Sequence, residues 1–362
     1  METSLNHIFT TMDQFDPVKY SSTRNFIDGS VSQLSPYISR GVISTKQVFQ
    51  FLLDKGYGFS EMEKFVQELA WRDYWQNIWV EKGDLIDGDF KSTQVGVLNY
   101  TVPSFLLDNS SSIEAIDRAT KSFYDSGYIH NHVRMYIASI VCNVGKYHWK
   151  NPAKWMYYHL LDGDWASNSL SWQWICGTNS SKLYYANQEN INKYCRSSQK
   201  ETFLDIDYEK FASLEVPQEL LKSANLDLQT PLPKVSDPLI IKSGPIFIYN
   251  YYNLDPDWYT SIDGNRVLML EPSIFEKYPI SQNSIDFMLG LSQNIENIQI
   301  FVGSFEQLLM QANGNEIIYK EHPLNSHYKG SKMERDWMFD VKGYYPSFFN
   351  FWNKAKKEFL KR

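Results

Sequence analysis

Residues 61–79 read EMEKFVQELAWRDYWQNIW. Apolar residues recur there at three- and four-residue spacing, which predicts a helix over Glu61–Trp79. Glu68, Trp71, Arg72, Trp75 and Trp79 follow i, i+3, i+4, i+7 and i+11 spacing and share one face of it. A carboxylate, a guanidinium and three indoles on one stripe make an unusual core. An interface helix with an ordinary Glu68–Arg72 ion pair is the plain alternative.

Three further stretches carry chemistry-bearing residues. Gly127-Tyr-Ile-His-Asn-His-Val-Arg-Met135 places Asn131, Arg134 and Met135 on one face at a helix start. Alone it reads as an N-cap by Asn131 with a solvated Arg134. His130 and His132 are two apart, so they point away from each other and do not suit a metal. Leu161-Asp-Gly-Asp-Trp-Ala-Ser-Asn-Ser-Leu-Ser-Trp-Gln-Trp174 opens like a calcium loop but lacks the further ligands and the closing Glu. Alone it is a turn with side-chain hydrogen bonds. Asp28-Gly-Ser-Val-Ser-Gln-Leu-Ser-Pro-Tyr37 offers hydroxyls and backbone N–H groups that suit a phosphate, although most such turns are only turns.

The rhythm changes along the chain. Helical patterns cover Ser44–Leu53, Ser112–Ser126, Asn131–Val144 and Pro152–Leu161. Later, Pro245–Tyr249, Arg266–Leu270, Ile298–Val302 and Glu316–Lys320 read as short buried strands. Helical stretches fall between them at Ser284–Gln293 and Phe305–Ala312, and Ser347–Arg362 reads as a terminal helix with a basic end. The fold class expected is mostly α, a helical domain followed by a small parallel α/β segment. The divisions are residues 1–205, a polar, proline-spaced linker over 206–238, and 239–362.

Composition narrows the class. The 362 residues carry a net charge of −7, −1 over residues 1–200 and −6 over the rest. That balance argues against broad non-specific nucleic-acid binding but permits a local basic patch. No apolar run approaches a membrane span and the first residues have no secretory pattern, so no membrane association is expected. Cys142, Cys176 and Cys195 give neither a disulfide framework nor a zinc spacing; a reducing cytoplasmic setting fits. Eight of the 11 Trp lie between positions 71 and 174.

Taken in order, LSPY, ELxWRD, GYxHNxxRM, LLDGDxAxN and WQW make residues 20–190 resemble the FAD-binding helical domain of the photolyase/cryptochrome family. The resemblance implies a bent, buried FAD. Tyr20, Ser32, Gln33, Leu34 and Ser35 match its phosphate-contacting segment, with Val31 departing from the usual hydroxyl. Asp162, Gly163 and Asp164 match the segment at the ribityl chain and ring edge, and Arg134 the arginine that pairs with the first aspartate. Asn168 falls where the family faces flavin N5; an Asn there cannot readily supply a proton.

The same resemblance implies a lesion pocket. Glu68 matches the carboxylic acid that hydrogen-bonds a cyclobutane pyrimidine dimer, Trp71 and Trp174 its aromatic walls, and Asn131 and Met135 further contacts. Arg24, Arg72 and Lys150 match or suit DNA contacts, and His132 replaces a commonly basic Arg. The activity implied is that of a deoxyribodipyrimidine photolyase acting on dimer-containing DNA. The alternative is a cryptochrome-like blue-light receptor; a helical fold that has lost its flavin is a third.

Two departures stand out. Trp172 and Trp149 match the first two members of the family's electron-carrying tryptophan chain, but the third would fall near Gly96; either Tyr100 or another aromatic is the terminal donor, or the chain is broken there. The family's antenna domain precedes its flavin domain, whereas the α/β-like segment here follows. Its rhythm is similar, but no residue in it identifies an antenna chromophore. Ser181–Asn192 also replaces the family's usual aromatic-Arg-Asn-Pro ending.

Overall fold

The computed structural model describes residues 1–235 and 238–360. Residues 236–237 of the expected linker and 361–362 of the expected basic terminus lie outside them. The chain forms two compact units. One comprises Asp16–Val31 and Lys82–Leu228; the other comprises Met1–Phe15, Ser32–Glu81 and Gln229–Arg362.

The unit built on Lys82–Leu228 is helical. Its helices include Glu114–Ser126, Asn131–Ser139, Lys150–His159, Trp165–Ile175 and Gln188–Cys195. The helix expected over Asn131–Val144 runs in α geometry to Ser139 and then as a π turn over Ile140–Val144. The interior gathers Ile116, Phe123, Ile137, Trp149, Trp155 and Trp172. Gly127 ends the helix Glu114–Ser126 at φ 65°, and its carbonyl accepts the Leu161 N–H at 2.9 Å. A Cβ at Gly127 would stand 2.6 Å from Leu161 Cγ, so only glycine lets these two motifs meet here.

The long helix Phe59–Lys82 belongs to the other unit up to Glu81, with Glu61 in its first turn and Lys82 in its last, matching the helix dipole. Ser44 and Gln47 form a capping box at the start of the helix Thr45–Asp54. The α/β segment belongs to this unit. Strands β1 (Ile246–Tyr249), β2 (Asn265–Leu270), β3 (Gln299–Val302), β4 (Ile317–Lys320) and β5 (Ser331–Met333) lie side by side as β3-β2-β1-β4-β5, all parallel. Continuous apolar runs in β1, β2 and β4 suit a sheet covered on both faces. β5 escaped the sequence expectations because it is short, polar and exposed, with Lys332 on the edge.

Candidate functional site

In the helical unit, Arg134 and Asp162 form a desolvated pair. Arg134 Nη2 donates to both Asp162 oxygens at 3.0 Å, and Nε donates to the Ile129 carbonyl at 2.8 Å. The side chains are 20% and 5% exposed, so the interaction is only weakly screened. Two residues on, Asp164 caps the helix Trp165–Ile175 by accepting the Ser167 N–H at 2.7 Å. That helix carries Asn168, whose Nδ2 donates to the Ala153 carbonyl at 2.8 Å.

Gly163 lies between the two aspartates. A Cβ there would come within 2.9 Å of the Leu160 carbonyl and 3.0 Å of the Tyr157 carbonyl, so the backbone at this turn stays bare. Ser167 Oγ, in the first turn of the helix that follows, is buried without a hydrogen-bond partner among the described residues.

His130, rather than the expected Asn131, caps the helix Asn131–Ser139: its Nδ1 accepts the His132 N–H at 3.2 Å. Asn131 is then the first helical residue and exposed. Burial, reinforced by neighbouring His132 and Arg134, pushes the His130 pKa down to about 4. The ring is therefore neutral at pH 7 and carries its proton on Nε2. Burial also lowers His132, which lies between the rings of Tyr136 and Tyr194. The lowered pKa leaves the His132 ring neutral at pH 7.

Met135 is half-buried against the core, and Trp174 is 39% exposed near Tyr184. Arg24 is half-buried, 6.0 Å from the Tyr20 ring centre. Lys150 begins the helix Lys150–His159.

Trp149 and Trp172 are buried. Trp149 Nε1 donates to Asp89 Oδ1 at 2.7 Å, and the same oxygen lies 3.2 Å from His148 Nε2. The His148 ring stacks on Tyr100 with centroids 5.3 Å apart, and Tyr100 is 67% exposed. Asp87 likewise accepts the Trp165 Nε1–H at 2.7 Å. Sequence reasoning missed both carboxylates, although Asp87-Gly88-Asp89 repeats the Asp-Gly-Asp of 162–164.

In the other unit, Gln33 adopts φ 54° and Ser32 Oγ accepts the Leu34 N–H at 3.3 Å, turning the chain into the short helix Ser35–Ser39. Glu68, Trp71 and Arg72 sit half-buried on the long helix. Arg72 Nη1 donates to Ser39 Oγ at 2.6 Å. Asp73 accepts Thr45 Oγ1 and the Met338 N–H, each at 2.9 Å, and burial pushes its pKa up to about 6. Trp79 meets Tyr252, Tyr278 and His322 edge-on.

Trp71, expected as an aromatic wall, has a second ring against it. The Phe348 ring lies parallel on it, with centroids 3.8 Å apart and planes 9° apart.

A small cleft opens at the carboxyl ends of β1, β2 and β4, lined by Tyr251, Tyr252, Glu271, Phe275, His322 and Tyr328 among others. Among the described residues, no group of three His, Cys, Asp or Glu is placed to hold a metal ion, and no helix is long and apolar enough to cross a membrane.

Residues 65–205 match the family model described as the FAD binding domain of DNA photolyase. A deoxyribodipyrimidine photo-lyase from Streptomyces griseus is 28% identical over 150 residues, which is 41% of this chain and 32% of the relative. One from Alkalihalophilus pseudofirmus is 26% identical over 172 residues, 46% and 36% of the two chains. The chain thus aligns with about a third of each of these relatives. Among solved structures, a cryptochrome from Synechocystis sp. shares a TM-score of 0.48 at 17% identity, covering 53% of this chain and 44% of that one. A bacterial class III photolyase from Agrobacterium tumefaciens gives 0.45 at 21%, covering 52% and 41%. Over this segment the chain resembles the photolyase/cryptochrome family.

Proposed function

We propose that the chain binds FAD and repairs cyclobutane pyrimidine dimers in DNA under light. The observation that carries this reading is the buried Arg134–Asp162 pair, set just ahead of the helix that presents Asn168, within the segment matched by the family model. The bare Gly163 backbone and the partnerless Ser167 Oγ suit a polar, flat-ringed cofactor against this turn.

Arg134, Asp162, Gly163, Asp164 and Asn168 would hold the ring end of FAD, and Tyr20, Ser32, Gln33, Leu34 and Ser35 its phosphates. Reduced FAD, once excited by light, supplies the electron that splits the dimer. Arg134 contributes a fixed positive charge in a dry setting, which favours negative charge beside it. Asn168 offers an amide that does not deliver a proton. Glu68 hydrogen-bonds the dimer, and Trp71 and Trp174 stack on it while Asn131 and Met135 complete the contact. The dimer is flipped out of its strand to reach them. Arg24 and Lys150 contact phosphates. Arg72, whose Nη1 donates to Ser39 Oγ, joins them with its remaining donors. Trp172 and Trp149 carry electrons inward, with Tyr100 as the exposed donor through the stacked His148 ring. The three free thiols suit a reducing cytoplasm.

The test is repair by chemically reduced, flavin-loaded protein, with Glu68→Ala beside it. Glu68→Ala is expected to lower repair yield and keep the flavin; loss of the flavin instead would show that Glu68 serves the cofactor. The cover of Phe348 over Trp71 favours a second reading, a cryptochrome-like photoreceptor without repair. Retained flavin with no repair by any variant would select it.

A further inference from the structure

Phe348 is the first residue of the helix Phe348–Phe359, capped by Ser347, and is 3% exposed. Its ring covers Trp71 at the spacing and tilt a stacked base would take. The parallel arrangement continues from Phe348 to Trp352 at 11° and from Trp352 to Phe59 at 14°.

The segment carrying Phe348 is tied to the Trp71 helix along its length. The Arg335 guanidinium donates to Gln76 Oε1, and the Met338 N–H donates to Asp73. Tyr74 hydroxyl donates to the Tyr345 carbonyl at 3.1 Å, and Lys356 pairs with Glu63 at 2.6 Å. These ties lie on both sides of Trp71 in sequence, so Phe348 is held over the ring from two directions. The Lys356–Glu63 pair is partly exposed and individually modest, whereas the Met338–Asp73 bond and the Phe348, Phe351 and Trp352 side chains are buried, so the closed strap dominates in the free protein.

We propose that residues 335–359 form a strap whose Phe348 occupies the stacking face of Trp71, so that a nucleobase reaches Trp71 only by displacing it. The proposal rests on the reading of Trp71 as a base-stacking wall. Phe348 then acts as a resident competitor. Apparent affinity for a base is reduced by the fraction of molecules in which the strap is open; with about one in ten open, removing the competitor tightens binding about tenfold.

The test uses the full chain and a fluorescent single-stranded oligonucleotide with one thymine dimer, against its undamaged twin. Phe348→Ala is expected to bind the damaged strand about tenfold more tightly than the unaltered protein. Phe349→Ala, at a position 64% exposed on the same helix, is expected to leave binding unchanged. Hydrogen exchange on the unaltered protein supplies the second measurement: saturating damaged strand should speed exchange over residues 345–359. If Phe348→Ala does not fold, this measurement decides alone. Equal affinities and unchanged exchange overturn the strap and leave dimer binding standing. Failure of every variant to prefer the damaged strand overturns the strap together with the role of Trp71.

Discussion

Asp73 shows how a buried residue ties local chemistry to stability. Its carboxyl accepts two hydrogen bonds, yet burial outweighs them and sets its pKa near 6, above the ordinary value of 3.8. The folded protein therefore holds a proton between about pH 4 and pH 6 that the unfolded chain releases. Stability from this group is fully present below pH 4 and is lost as pH rises through 6, by about 3 kcal/mol at most. Urea unfolding between pH 4 and 7 should show that decline, and Asp73→Asn should flatten it. Pairing of Arg134 with Asp162 was legible because both residues belong to recognisable motifs. The carboxylates on Trp149 and Trp165 were not, since the Asp87-Gly88-Asp89 repeat alone does not say which indoles Asp89 and Asp87 will meet. Tyr100 adds a residue-scale test. Tyr100→Phe should slow light-driven reduction of bound flavin, followed by transient absorption, while repair by chemically reduced protein persists. Unchanged photoreduction would remove Tyr100 from the route.

At the scale of elements, periodicity located the helices well where one face is buried. Glu61–Trp79 became Phe59–Lys82, and Ser112–Ser126 became Glu114–Ser126. The π turn over Ile140–Val144 was not legible, because an extra residue per turn leaves the apolar pattern helical. His130 took the cap from Asn131 because its imidazole Nδ1 reaches the His132 N–H. The turn after Ser126 sets the junction of two site motifs through Gly127. Gly127→Ala must adopt a positive φ and push Leu161 away, at a cost of about 1–3 kcal/mol. Thermal unfolding should show that loss. Unchanged stability would show that the Gly127–Leu161 junction does not constrain the fold.

Across the whole molecule, the sequence division into a helical first part and an α/β second part captured element types but not how elements group. Ser32–Glu81 joins the unit that holds the sheet, whereas Asp16–Val31 joins the helical one. Periodicity is local, and nothing in it reports which helix packs on a distant strand. The same limit hid Phe348: a Phe near the end of a sequence carries no mark that it will lie on Trp71. The resemblance implied an aromatic wall at Trp71, and packing within this chain lays Phe348 on that ring. Net charge of −7 places any DNA contact on a few residues such as Arg24 and Lys150, so affinity should depend modestly on salt. The most direct measurement is chromatographic counting of thymine dimers in an oligonucleotide incubated with flavin-loaded, chemically reduced protein, in blue light and in darkness. Loss of dimers in light alone, with restored thymines, is the result expected of a repair enzyme. Dimers that persist in light while the flavin stays bound and reduced would contradict it.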